Sequence, residues 1–338
     1  MSHKEVARTV WHHATGTPGD TAALLRELVR YATLAPSSHN TQCWKFRLRE
    51  RAIVIEPDLT RRCPVVDPDD HHLFVSLGCA AENLAQAALA YGMRAEIRFE
   101  PAGNGALFIT LEPTQAVAST LFKVIPERQS TRGDYDTKPL SSADLRALEQ
   151  AGSGAGVGVI LLTERQPMEK VLEYVIAGNT AQMNDPAFVA ELKAWIRFGE
   201  AEAVRLRDGL FSGSSGNPNL PRWLASPLMS LFFTPKAEND KYARQMRSSA
   251  GIAIFVSETN DMAHWVEAGR CYERFALQST ALGIRNAFLN QPVEVATLRP
   301  QFASWLGVSG LRPDLIVRFG RGPKMPASLR RPVEAVFV

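Results

Sequence analysis

Apolar residues recur at helical spacing over residues 20–34, where Leu24, Leu25, Leu28, Val29 and Ala32 share one stripe behind a capping Asp20. Two strand-like runs follow, 46–49 and 52–56. Asp67-Pro68 supplies a cap and a first-turn proline, so a long Ala-rich helix is expected from there to Tyr91, with small residues Gly78, Cys79, Ala80 and Ala81 inviting a second helix close. Runs 95–99 and 106–111 read as a strand pair. The second half repeats the alternation: helix 141–150, strands 157–162 and 251–257, helix 262–282, and strands 285–289 and 315–319. Between them, 177–250 combines a charged helical stretch (188–206), a Gly/Ser/Pro run (209–218) and the apolar Trp223, Leu228, Met229 and Phe232, a composition expected of a lid rather than a linker.

The two long helices match each other without gaps at an offset of 191. Asp70/Asp261, Val75/Val266, Gly78/Gly269, Glu82/Glu273, Ala85/Ala276, Ala90/Ala281 and Gly92/Gly283 are identical. An internal duplication follows, with one half at 18–118 and the other at 119–338 carrying the lid-like insertion at about 177–250.

Composition narrows the class. At 338 residues with 45% hydrophobic and 22% charged residues the chain buries a true core, and a formal charge of +3 without a basic stripe argues against nucleic acid. Cys43, Cys63, Cys79 and Cys271 lack CxxC spacing and read as free thiols. No signal-like run or membrane span is expected, which points to a cytoplasmic protein.

The chemistry concentrates in two places. Ala35-Pro36-Ser37-Ser38-His39-Asn40-Thr41-Gln42-Cys43-Trp44 packs hydroxyls and amides into a turn between helix and strand. Arg128-Gln129-Ser130-Thr131-Arg132 sets Arg, Ser and Arg two apart, so an extended backbone points all three one way, as a phosphate requires. With Arg330 and Arg331 they could form a four-arginine pocket for a dianion. Neither half carries both features: 152–156 has lost the polar turn, and the segment before Asp20 has no Arg-x-Ser-x-Arg. His39 is read as packing in the turn, and His12-His13 and His71-His72 as structural or solvated. There is no Gly-x-Ser-x-Gly elbow and no Gly-x-Gly-x-x-Gly after a strand, which disfavours a serine hydrolase and a Rossmann site.

The Ser-Ser-x-Asn-x-Gln turn and the Arg-x-Ser-x-Arg run resemble the FMN-dependent nitroreductase family, and the whole-chain arrangement, including 318–322 and 326–334, is similar to its Acg-type branch. The resemblance implies an α+β nitroreductase-like fold in which one chain forms an internal pseudo-dimer. It implies FMN as cofactor, held by Ser37, Ser38, Asn40, Gln42, Arg128, Ser130, Arg132, Gln291, Ser328 and Arg330, with Arg247 as a further candidate at the pyrimidine edge. The complementary losses predict one FMN per chain. Electrons would pass from NAD(P)H to a nitroaromatic, quinone or similar small acceptor with no dedicated catalytic side chain, in a monomeric pseudo-dimer or a homodimer. The alternative is a flavin-sequestering protein. Cys43 stands where the family usually has proline.

Overall fold

Side-chain alternation decides which faces of the two sheets are buried. In the computed structural model every residue is described except Thr17 and 216–218, with only the backbone described at 215 and 228–232. Part of the Gly/Ser/Pro run and the side chains of Leu228, Met229 and Phe232 therefore lie outside the described residues.

The chain begins with α1 (His3–Val10), closed by a capping box between Ser2 and Glu5, and α2 (Thr21–Thr33), capped by Asp20. A hairpin of β1 (Trp44–Arg49) and β2 (Ala52–Pro57) follows, then α3 (His71–Ala90), β3 (Met93–Glu100) and β4 (Ala106–Pro113). These strands form an antiparallel sheet ordered β1-β2-β4-β3. Helices α4 (Thr120–Val124) and α5 (Ser142–Ala151) lead to β5 (Val157–Leu162).

An excursion follows: α6 (Arg165–Met183), α7 (Pro186–Trp195), β6 (Ile196–Arg197), α8 (Glu200–Leu206), β7 (Leu210–Phe211), α9 (Arg222–Phe232) and α10 (Pro235–Arg247). The chain returns through β8 (Gly251–Ser257), α11 (Met262–Ala281), β9 (Arg285–Phe288), α12 (Gln291–Glu294), α13 (Arg299–Trp305) and β10 (Arg312–Gly320). The second sheet, also antiparallel, is ordered β5-β8-β10-β9.

Counting strands within each half, both sheets have the order first, second, fourth, third, and in both the long helix joins the second strand to the third. The halves differ in one connection. Glu50-Arg51 turns β1 into β2, whereas the whole excursion, residues 163–250, stands between β5 and β8. The difference is visible in the strands. β2, the counterpart of β8, reads Ala-Ile-Val-Ile-Glu-Pro and is fully buried only at Ile53, Val54 and Ile55, while β8 reads Gly-Ile-Ala-Ile-Phe-Val-Ser and is buried throughout. Met168, Val171, Leu172 and Val175 of α6 cover the second face of that sheet.

The two long helices cross at their matched glycines. A Cβ on Gly78 would lie 2.0 Å from the Val266 carbonyl oxygen, and one on Gly269 would lie 2.0 Å from that of Val75. The residues that touch are therefore the identical pairs of the duplication, related as across a two-fold axis.

Three expectations need correction. α3 begins at His71, because Asp67 accepts from the His72 and Leu73 amides while Pro68 sits in the preceding turn. The stretch 188–206 is two helices parted by β6, not one. α3 also reaches the length and hydropathy of a membrane span, 20 residues at a mean of 1.3, but 78% of that window is buried inside the protein, so its apolar surface is spent on the core.

Candidate functional site

α2 ends at Thr33, and the chain must reverse into β1 within ten residues. It does so through left-handed backbone at His39, Asn40 and Gln42 (φ 48°, 54° and 55°). Asn tolerates this region because its short amide can bond locally. The reversal brings Ser37, Ser38 and His39 to a cavity of about 220 Å³ between the halves. Arg132, Phe288, Gln291 and Leu315 line it from the second half, Val75, Ser76 and Cys79 from α3, and Phe188, Leu192 and Phe233 from the excursion. A smaller cavity of about 60 Å³ adjoins it, lined by Trp11, Asn40, Arg128, Ser130, Ser328 and Arg330. Pro36, Ser37, Arg132, Leu210 and Phe288 line both. The two half-sites of the sequence thus meet.

The arginines do not share one role. Arg330 is 3% exposed, and all five of its N–H donors are engaged. Nε donates to Thr33 O at 2.8 Å, Nη1 to Asn40 Oδ1 at 2.8 Å and Leu329 O at 3.1 Å, and Nη2 to Leu34 O at 3.0 Å and Ala35 O at 2.9 Å. It caps the end of α2 from across the molecule, and burial lowers its pKa to about 9. Arg128 donates to Leu34 O at 3.0 Å and faces Glu273 at 3.1 Å. Burial pushes the Glu273 carboxyl up to about 7 against the pull of Arg128. Arg331 is tied to Gln42 and to Ala335 O.

The four-arginine dianion pocket is therefore corrected. Only Arg132 lines both cavities with, among the described residues, no carboxylate paired to it. Desolvation lowers its pKa.

Two amides of the turn are likewise spent on structure. Asn40 Nδ2 donates to Gly209 O and Leu329 O at 3.0 and 3.2 Å. Gln42, fully buried, donates to Arg207 O at 2.9 Å and accepts from Arg331 N at 2.8 Å. Both fasten the turn to the excursion and the C-terminal segment, and neither presents a free group. Ser37 Oγ accepts from Gln42 N at 2.9 Å. Ser328 accepts through its carbonyl from Trp11 Nε1 at 2.8 Å. Arg247 is an exposed partner of Glu169, which corrects its proposed approach to the site. Buried polar atoms without a hydrogen-bond partner at the two cavities include Ser130 Oγ, Gln291 Oε1 and His72 Nε2. Buried orphans of this kind ask for a ligand.

Sequence reading did not find the acid–base groups around the larger cavity. His72 Nδ1 lies 3.9 Å from Glu294 Oε1, and Gln182 Nε2 donates to Glu294 Oε2 at 2.7 Å. Asp67, His71 and His72 are close enough to hold a metal ion, but Asp67 already accepts two amides and His71 Nε2 bonds Asp314 at 2.9 Å. His39 packs in the turn as expected, with Nδ1 3.5 Å from Cys63 Sγ.

Burial, Arg132 and His72 lower the pKa of His39 to about 4 from 6.5. The folded chain keeps it neutral while the unfolded chain takes up a proton, so stability falls as pH drops from 6.5 toward 4. The expected loss from this residue is about 2–3 kcal/mol. His39→Asn, which accepts the same backbone, should remove it, so wild type and variant compared by denaturant unfolding at pH 7 and at pH 4.5 should diverge in favour of the variant. Parallel pH profiles would refute the assignment.

The chain is 26% identical over 93% of its length to a Mycobacterium tuberculosis protein provisionally named an NAD(P)H nitroreductase, covering 91% of it. It is 22% identical over 94% of its length to the provisionally named NAD(P)H nitroreductase acg of the same species, covering 96% of that protein. No protein-family model matches. Among solved structures, a nitroreductase with bound FMN from Bacteroides fragilis aligns at 16% identity over 63% of this chain and 93% of that one, with a TM-score of 0.37. The FMN-dependent nitroreductase NfnB from Mycobacterium smegmatis, in complex with NADPH, aligns at 12% identity over 60% and 87%, with a TM-score of 0.38.

Proposed function

Because the chain resembles the nitroreductase family, in its Acg-type branch, along nearly its whole length, we propose that it is an FMN-dependent NAD(P)H oxidoreductase that reduces nitroaromatic, quinone or similar small acceptors. The observation that carries this reading is the unpaired Arg132 guanidinium beside the orphaned Ser130 Oγ and Gln291 Oε1, in a cleft walled by both halves. These residues fit a flavin mononucleotide: Ser130 and Arg132 offer donors to its polar groups, and Ser37, Ser38 and Gln291 reach in from the facing walls. Bound FMN supplies two-electron redox chemistry between a nicotinamide hydride donor and the acceptor.

The residues themselves do the rest. Arg132, half withdrawn from water, favours negative charge beside it more strongly than a solvated cation would. Phe288, Leu315 and Val75 give the cavity apolar surface, as do Phe188, Leu192 and Phe233 from the excursion. Arg132→Ala should weaken FMN binding by about ten- to one-hundred-fold, the worth of a charge-assisted hydrogen bond, while leaving thermal stability unchanged or slightly higher. Fluorescence titration and a melting curve read both. A loss of stability with intact affinity would reverse the assignment.

Where the polar turn of a second, symmetry-related site would stand, the segment 152–156 is closely packed. A Cβ on Gly154 would meet Glu267 Oε1 at 2.3 Å, and Arg274 pairs with Glu82 at 3.0 Å and Glu267 at 3.2 Å. FMN titration should saturate at one equivalent per chain; two equivalents would contradict this. The excursion residues that line the cavity favour a second reading, a flavin-holding protein with little turnover. Anaerobic addition of NADPH to the FMN-loaded protein separates them: rapid bleaching of the yellow spectrum belongs to the enzyme, and an inert spectrum to the holder. Protein that takes up no FMN refutes both.

A further inference from the structure

Each four-stranded sheet has two edges, and an edge strand offers a row of unpaired N–H and C=O groups to any strand that can reach it. The edge at β1 is met by the C-terminal segment, where Phe337 bridges Phe46 and the Val338 amide donates to Phe46 O. The edge at β9 is met by Ser130 and by the Thr131 amide, both at Asn286. β3 is the other edge of the first sheet, eight residues long, and among the described residues no backbone hydrogen bond reaches it except from β4. One face of β3 carries Arg94, Glu96, Arg98 and Glu100, alternating in sign. The other face carries Met93, Ala95, Ile97 and Phe99, which are only partly buried, although Leu111, Ile109 and Leu107 beside the last three on β4 are buried. The fourth edge, β5, reads Val-Gly-Val-Ile-Leu-Leu and has no charge to set a register.

We propose that β3 is a docking edge for a second copy of this chain, the two β3 strands pairing antiparallel about a two-fold axis at Ile97 so that their sheets run on as one. The strand is self-complementary in that register. Arg94 stands opposite Glu100 of the partner subunit and Glu96 opposite Arg98 of the partner subunit, and each pair occurs twice. On the inner face Ile97 meets its own copy, and the small Ala95 meets the large Phe99 of the partner subunit. A slip of two residues one way sets Arg against Arg at 94 and 98 and Glu96 against itself. The opposite slip sets Glu against Glu at 96 and 100 and Arg98 against itself. A slip of one residue turns the charged row inward. The alternation therefore works against foreign strands and admits one partner in one register. The charges are available for it: Arg94 pairs within the chain with Glu112, and Arg98 with Glu100 at 3.0 Å, but these four side chains are 38% to 70% exposed, where such pairs hold weakly. No residue of β3 lines either cavity, so the pairing leaves each cleft as it is and is independent of the oxidoreductase reading.

The test is sedimentation equilibrium of wild type, of Arg94→Glu with Arg98→Glu, which makes the row all acidic, of Glu96→Arg with Glu100→Arg, which makes it all basic, and of the two variants mixed. Wild type should dimerise, and each variant alone should do so about ten-fold or more weakly, because every attractive cross-strand pair becomes repulsive. The equimolar mixture should recover the wild-type affinity, since every acid then meets a base; damage to folding would not be undone by mixing. Amide hydrogen exchange at 93–100 should slow as the wild-type concentration rises. Wild type that stays monomeric, a dimer that the all-acidic variant keeps undiminished, a mixture no stronger than its components, or exchange at 93–100 that ignores concentration overturns the proposal. If either double variant folds poorly, the full inversion decides: Arg94→Glu, Glu96→Arg, Arg98→Glu and Glu100→Arg together keep every pair complementary and must dimerise as wild type does. FMN uptake should be the same in all of these proteins. A monomer that binds FMN therefore refutes this interface and spares the oxidoreductase reading, and a dimer of this kind that takes up no FMN does the reverse.

Discussion

Gly78→Ala is expected to destabilise the protein by about 3 kcal/mol or more, a large effect for one methyl group. Alanine is ordinarily the better helix former by about 1 kcal/mol, so helix propensity predicts the opposite sign. Packing decides against it. The added carbon would sit 2.0 Å from the Val266 carbonyl oxygen, an atom of a helix backbone that cannot rotate out of the way. α3 and α11 must separate, and with them the core residues Leu77, Ala81, Phe275 and Ala276 packed around the crossing. Gly269→Ala meets the Val75 carbonyl at the same distance and should cost about as much. Once the helices have been forced apart, the second methyl finds space, so the double variant should lose clearly less than the sum of the singles. Urea unfolding of the three variants reads this, and additive losses would show that the two clashes are independent.

Arg330→Ala is the second large expectation, with a loss of about 3 kcal/mol or more. The substitution removes one donor each from the buried carbonyls of Thr33, Leu34 and Ala35 at the end of α2, and from Leu329 O and Asn40 Oδ1. Arg330→Lys should recover only part of this, because an ammonium is a point donor with three hydrogens and cannot replace a planar fork with five. Thermal unfolding of both variants, set beside Arg132→Ala, distinguishes a helix cap from a ligand-binding cation. If Arg330→Ala keeps its melting temperature and loses FMN, the roles assigned to the two arginines are exchanged.

The residue pattern made the strands, the duplication and the meeting of the half-sites legible, because each rests on periodicity or identity. β8 reads as continuous apolar residues because both of its faces are covered, and the shared Gly78 and Gly269 mark the helix crossing because no larger residue fits there. The roles of the arginines were not legible. Whether a guanidinium serves a ligand or a helix end depends on where the carbonyls lie, and Arg330 finds three of them almost 300 residues away in sequence. The same holds for Asn40 and Gln42, whose partners near Arg207 and Gly209 belong to the excursion. α6 is not among the expected elements although Met168, Val171, Leu172 and Val175 stand at helical spacing: most of it precedes residue 177, where the expected insertion begins.

The matched glutamates show what joining the halves in one chain allows. Glu273 holds Arg128 beside the cavity, while Glu82, its counterpart, is locked among Arg270 and Arg274. A homodimer writes every substitution twice, so a change that improves one pocket is imposed on the other. Here each half mutates alone, and one pocket could be surrendered to structural ion pairs while the other kept its vacant cation. The linkage also frees the pocket from mass action: its walls share a backbone, so dilution that would separate two subunits leaves it whole.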